Sequence, residues 1–337
     1  MKIVLDITKL VEDGRITPAE AERLKSFAAA ETGSLAINIV LSLGVVAIVA
    51  GAVALKPSAV LGMFLGAAMV AAGFAISYAW TAQWGLLGAA NIMVGTLAVS
   101  AGLVIELEGN LVSTLGVFLL LLAVGWTARS GFLVALAPFA LAGALGSSTG
   151  YLHAAYFLVI NEATILIGVF TAAAVAAYQI AKIVDAVRSR LALLFARVSL
   201  VLVNFGFWVG SLHGDRPGAT WRLAEYAGSG RRPSAVALPS LNEMFWIPDV
   251  AFVVAWALAL IAAGVWGARQ NRRFVVNTVA TFASIHFYTQ WFERLGANAV
   301  SVLISGVATV AIAIALWRYN QRSTARPDRR NWVETSP

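Results

Sequence analysis

The chain contains no cysteine, which excludes disulfides, iron–sulfur clusters and thiolate metal ligands or nucleophiles. Histidine is nearly absent too: His153, His213 and His286 stand too far apart to form a local metal-binding motif. Charge is scarce, at 12% of 337 residues, about half the share of an ordinary soluble protein. Hydrophobic residues make up 60%, more than a soluble fold of this length can hide, so the solvent around the chain is largely lipid. No phosphate-cradling glycine loop, paired-histidine zinc helix or glycine-framed serine occurs. The reading is therefore non-enzymatic, with no catalytic residue, cofactor or metal expected.

What is present is long apolar runs. A hydrocarbon core of roughly 30 Å needs about 20 apolar residues per crossing. By that rule the expected spans are 35–55, 58–80, 84–105, 110–127, 131–147, 163–183, 191–212, 249–266, 274–292 and 297–317. The fifth is short and carries Pro138, which fits a kinked or re-entrant segment. The apolar run 151–160 is too short to span and reads as an interfacial helix. The fold class expected is all-α: a polytopic membrane bundle of about ten transmembrane helices over 34–319, preceded by a short cytosolic helical hairpin over 1–33.

The net charge of +7 is explained by topology better than by nucleic acid, because the basic residues sit between apolar runs and not on one aromatic-laced surface. With the N-terminus inside, 18 of the 24 Lys and Arg residues fall on the cytoplasmic side. Four of the six outer ones share one loop, 213–248. The arrangement predicts both termini in the cytoplasm, a basic cytosolic tail over 320–337, and a first span that serves as an uncleaved anchor. The outer loop holds four of the nine prolines and resists regular structure.

In the hairpin, Gly14 stands where a helix stop is expected, and Thr17, Pro18 and Glu20 compose a capping box with proline at the first helical position. Leu10, Leu24 and Phe27 lie on the apolar faces of the two short helices. Helices of this length are marginal alone, so these residues form a candidate face for a cytosolic protein or a second copy of the chain.

Within the bundle, Gly88, Asn91, Gly95, Ala98 and Gly102 fall on one face of the third span, with Gly62 and Gly66 on the second. Small residues at these steps let helix backbones approach closely. Two polar stripes follow: Arg197, Asn204 and Ser211 in the seventh span, and Asn277, Thr281, Ser284 and Tyr288 in the ninth, beside His286. Each stripe reads either as interhelical hydrogen bonding or as the lining of a watered pathway. The acids Glu106, Glu108, Glu162, Asp249 and Glu293 all fall at outer ends of spans. The absence of a mid-membrane carboxylate argues against an ion-coupled carrier.

The run from Leu10 to Leu24, with Gly14-Arg15-Ile16-Thr17-Pro18 at its turn and membrane spans directly after it, resembles the bacterial membrane-protein family known as domain of unknown function 2157. The closing region is similar as well, with His286-Phe287-Tyr288-Thr289-Gln290-Trp291-Phe292-Glu293 before a small-rich span and an Arg-rich tail. The resemblance implies a bacterial inner membrane location and no particular activity. Two functions remain open: a membrane organiser or sensor whose hairpin docks a partner, and a carrier for a neutral or lipid-like solute built from two inverted five-helix halves.

Overall fold

A computed structural model describes residues 10–11, 13–79, 84–152, 155–222, 244–296 and 298–324. Ten helices account for most of them: α1 Pro18–Leu55, α2 Ala59–Ala79, α3 Gly85–Glu106, α4 Leu111–Thr127, α5 Gly131–Ala144, α6 Ala163–Ile183, α7 Ala186–His213, α8 Asp249–Arg269, α9 Arg273–Leu295 and α10 Ala299–Thr324. Each expected span overlaps one of these helices, with ends that differ. Six stretches are long and apolar enough to cross a membrane: 37–55 within α1, and the whole of α2, α3, α6, α7 and α8. The apolar parts of α4, α5 and α10 are shorter, and α9 is too polar to qualify.

Local chemistry sets the helix ends. The amides of Gly14 and Arg15 reach back to the carbonyls of Val11 and Leu10, with Gly14 at φ +66°, a left-handed stop that glycine adopts without strain. Thr17 then caps α1: its hydroxyl accepts from the Glu20 amide at 3.2 Å, while the Glu20 carboxylate accepts from the Thr17 amide at 2.8 Å. The helix continues unbroken to Leu55, so the boundary expected near residue 33 falls inside one helix of 38 residues. Nothing between Ala19 and Leu55 interrupts the helical hydrogen-bond ladder: proline is absent, and Gly33, Gly44 and Gly51 are tolerated. Asn110 caps α4 by accepting from the Ser113 amide at 2.9 Å.

The expectation of an interfacial helix at 151–160 is overturned. β1 Ser147–Leu152 and β2 Ala155–Ile160 form an antiparallel ladder, with Ser147 opposite Ile160 and Leu152 opposite Ala155. Tyr151, Tyr156, Phe157, Val159 and Ile160 favour extended backbone, and pairing satisfies the peptide groups that a helix of this length would leave unbonded at both ends. The preceding helix is also shorter than its expected span, ending at Ala144, and Gly146 turns the chain at φ +81°.

The described elements fall into two compact units, one of residues 1–144 with 184–194, the other of residues 145–183 with 195–337. In the first, α2 and α3 pack through glycine. A Cβ on Gly95 would stand 2.5 Å from the Gly66 carbonyl oxygen, and one on Gly73 would stand 2.7 Å from the Gly88 carbonyl oxygen. Gly102 leaves room for Met63 in the same way. Gly62, expected in this seam, has nothing nearer than Val53 at 3.9 Å; Gly73 takes the place it was expected to fill. Asn38, buried in α1, accepts from the Leu87 amide of α3 at 3.2 Å and so bonds one of the free donors at that helix start.

In the second unit the core is aromatic. Trp256 of α8 is wholly buried with Leu260 and Phe282, against Phe205, Phe207 and Trp208 of α7. Phe207 stacks parallel to Trp256 at 6.5 Å, and Phe205 meets Phe282 edge-on at 5.6 Å. Gly206 admits Leu166 and Ile167, and Gly210 admits the ring of Phe252.

Two predictions test these contacts. Gly95→Val should destabilise the α2–α3 pair by about 1–3 kcal/mol through overpacking, whereas Gly116→Ala, with no neighbour in reach, should be neutral or slightly stabilising. Thermal unfolding of both variants in one detergent decides it, and equal midpoints would refute the seam. The Glu20 carboxyl is held below its ordinary pKa first by the Thr17 amide and then by the Thr17 hydroxyl. The cap is therefore fully formed above the ordinary glutamate range and is lost as pH falls through the lowered folded-state value. The Thr17 amide resonance should titrate below the ordinary glutamate range, and a midpoint at or above it would contradict the capping box.

Candidate functional site

The polar residues of the bundle are placed as follows. Asn204 of α7 faces α8, where its side-chain oxygen accepts from the Trp256 indole at 3.0 Å while its amide donates to Leu200 at 2.8 Å. Trp208, one turn on, donates its indole N–H to Thr289 of α9 at 3.0 Å. Tyr288 donates its hydroxyl to the Ser305 carbonyl at 3.1 Å and touches the Thr309 hydroxyl, joining α9 to α10. Ser284 bonds the carbonyl of Ala280 in its own helix. His286 meets Trp256 edge-on at 4.7 Å, and its Nδ1 is buried with no hydrogen-bond partner among the described residues.

Three members of the expected stripes stand exposed, Thr281 among them. Arg197 is exposed, with its guanidinium 5.1 Å above the Phe274 ring, and Asn277 is exposed on α9. A long cationic side chain lowers its free energy by lying along an aromatic face. Of the packing face, Gly88, Asn91, Gly95 and Gly102 are all buried, and Asn91 donates to Leu87 in its own helix at 2.8 Å. In the hairpin, Leu10 is half-buried; the side chains of Leu24 and Phe27, like most of the first short helix, His153 and the tail beyond 324, lie outside the described residues.

The most elaborate polar architecture lies at one end of the second unit, where the start of α6, the end of α7 and the start of α8 meet. Glu162 is completely buried just ahead of α6, and its two oxygens accept from the amides of Gly218 at 2.7 Å and Thr220 at 2.8 Å. Asp215, 5% exposed, accepts from the Thr164 amide at 2.7 Å and pairs its backbone with Ile247 in both directions at 2.9 Å. The turn after α7 is thus fastened to a helix some fifty residues earlier by two acids, and to the approach of α8 by a bridge. Asn161 closes the corner by donating to the Gly146 carbonyl at 3.0 Å.

These elements enclose a cavity of about 660 Å³ between the second strand and the end of α7. Val159, Ile160, Val209 and Leu212 supply its apolar walls. Trp246 stands across it with the Arg216 guanidinium 4.7 Å from its ring, and the Arg216 Nε is buried without a partner. The volume lies within the range of small-molecule sites. Among the described residues no three His, Asp or Glu side chains come together as metal ligands do.

Sequence reasoning placed Glu162 at an outer helix end with the other acids, yet the rest of that set is exposed and Glu162 is not. Asp215 was not singled out, and Arg216 and Trp246 were read only as parts of the outer loop. The available signal was an acid directly before a helix start, a position that favours a bond to backbone amides. Its partners fifty residues away leave no mark in local spacing.

Comparison of the chain with protein-family models, curated proteins and solved structures found no match. The architecture is nevertheless that of a helical membrane protein, since among the described residues six helices have the length and apolarity to cross a bilayer.

Replacing Glu162 by alanine strands two amides of the 214–222 turn and should cost about 3 kcal/mol, with Glu162→Gln milder because one acceptor survives. Limited proteolysis at Arg222 should be fastest in the alanine variant, slower in the glutamine variant and slowest in the native chain. Identical cleavage rates would show that the turn is held by other means.

Proposed function

We propose that the chain is a non-enzymatic integral protein of the bacterial cytoplasmic membrane that organises or senses, with its N-terminal hairpin as the docking element for a cytosolic protein or a second copy. In this reading it crosses the bilayer about ten times, with both termini inside, and is related to the family of domain of unknown function 2157. The basic-residue asymmetry supports the orientation, and the one-to-one match of expected spans with helices supports the number.

The observation that carries the reading is the commitment of most interior polar groups of α7 and α9 to helix contacts, with the His286 Nδ1 left unbonded among the described residues. Asn204 holds Trp256, Trp208 holds Thr289, Tyr288 holds Ser305, and Ser284 bonds its own backbone. A transport pathway needs polar groups free to exchange water and cargo, and these are already bonded. The alternative, a carrier for a neutral or lipid-like solute, draws on the division into two compact units, α1 to α5 with the start of α7 in one and the remaining helices in the other. The bonded interior weighs against it.

Leu24→Asp combined with Phe27→Asp should abolish the partner or self-association recovered by native co-purification, while the chain still inserts. An undiminished complex would defeat the organiser reading.

A further inference from the structure

The cavity at the acid-fastened end of the second unit carries two charges that do not neutralise each other. Asp215 lines it, and of its two carboxylate oxygens one is bonded to the Thr164 amide. The other holds no hydrogen bond among the described residues. Arg216, its neighbour in sequence, lines the same cavity with its Nε buried and unbonded. Among the described residues the two side chains form no ion pair with each other or with a third group. The turn geometry accounts for this: the Asp215 carboxylate is drawn toward the start of α6, while the Arg216 guanidinium is drawn over Trp246.

The second Asp215 oxygen opens on the cavity, and the Arg216 guanidinium beside it keeps a buried Nε without a partner, so a ligand with groups of both signs would complete the two. A simple anion would meet Asp215, and a simple cation would meet Arg216. A head group carrying both an ammonium and a phosphate or carboxylate satisfies each side chain with its opposite. The remaining walls, Val159, Ile160, Val209 and Leu212, accept an apolar body.

We infer that this cavity binds a zwitterionic amphiphile, its ammonium on Asp215, its anionic oxygens on Arg216, and its apolar portion along the β2 and α7 side chains. Aminophospholipids and soluble aminophosphates share the head-group chemistry. The apolar walls assign the site to the tailed form. The inference stands apart from the hairpin reading, which is tested on other residues by partner capture.

The test is native mass spectrometry of the detergent-solubilised full chain offered equimolar phosphatidylethanolamine and phosphatidylglycerol. The native chain should retain phosphatidylethanolamine about tenfold over phosphatidylglycerol, the effect of one charge-assisted contact. Asp215→Asn, which keeps an acceptor for the Thr164 amide, should erase that preference. Arg216→Gln should weaken both lipids about tenfold. Leu212→Trp fills the cavity without touching either charge and should remove retention, which keeps the result readable if the Asp215 variant does not fold. Equal retention of the two lipids by the native chain, or an unaltered preference in both Asp215→Asn and Leu212→Trp, overturns the site. Displacement by tail-less phosphoethanolamine at the same concentration as lysophosphatidylethanolamine overturns the assignment of an amphiphile.

Discussion

Every amide in an apolar span must find its acceptor inside its own helix, because hydrocarbon supplies none. The rest of the structure depends on that constraint. It keeps α1 continuous through 38 residues and turns hydroxyls inward on the backbone, as with Thr96 on Ile92, Ser100 on Thr96 and Thr309 on Ser305. With backbone groups and many hydroxyls satisfied locally, association of helices rests on surface fit and a few side-chain bonds. In the first unit the fit comes from glycines that bring α2 and α3 to backbone contact; in the second it comes from interleaved rings around Trp256. Both solutions follow from the lack of a hydrophobic drive between helices in lipid.

The same constraint places irregular backbone at helix ends, where each exposed amide needs a designated partner. Asn38 serves one at the start of α3, Asn110 one at the start of α4, and Glu162 and Asp215 three more around the start of α6 and the turn after α7. A buried carboxylate satisfied by two amides is held without a counter-cation among the described residues, so Glu162 fixes the turn that carries Arg216. Fixing the turn in this way determines where Asp215 and Arg216 stand, and therefore what the cavity offers a ligand.

Short-range chemistry was legible in the sequence. Gly14, Thr17, Pro18 and Glu20 announce a stop and a start within seven residues, and the structure has both. The glycine face of α3 could be read from spacing, because side chains three and four apart share a helical face. Its partner could not: the choice of Gly73 over Gly62 depends on where two helices cross, which no single-helix pattern encodes. The strands at 147–160 were missed for a related reason, since a ten-residue apolar run with aromatics suits either conformation until its pairing is known. Heptad spacing puts Arg197 on one face with Asn204 but does not say whether that face is covered, and Arg197 is exposed.

The two ends of the second unit answer charge in opposite ways. At one, Lys182 and Arg272 lie over Tyr178, at 4.6 and 5.8 Å, and Tyr178 meets Trp266 edge-on. Those cations are near water and reach it along aromatic faces, an arrangement suited to an interface and indifferent to the identity of what lies beyond. At the other end, acids are withdrawn from water and bonded to named amides, and one cation is sandwiched against Trp246 with a donor unfilled. Anchoring to a membrane surface needs only the first arrangement. Burial of unlike charges that fail to pair has a cost that anchoring does not require, so the second arrangement is where molecular selectivity in this chain is to be sought.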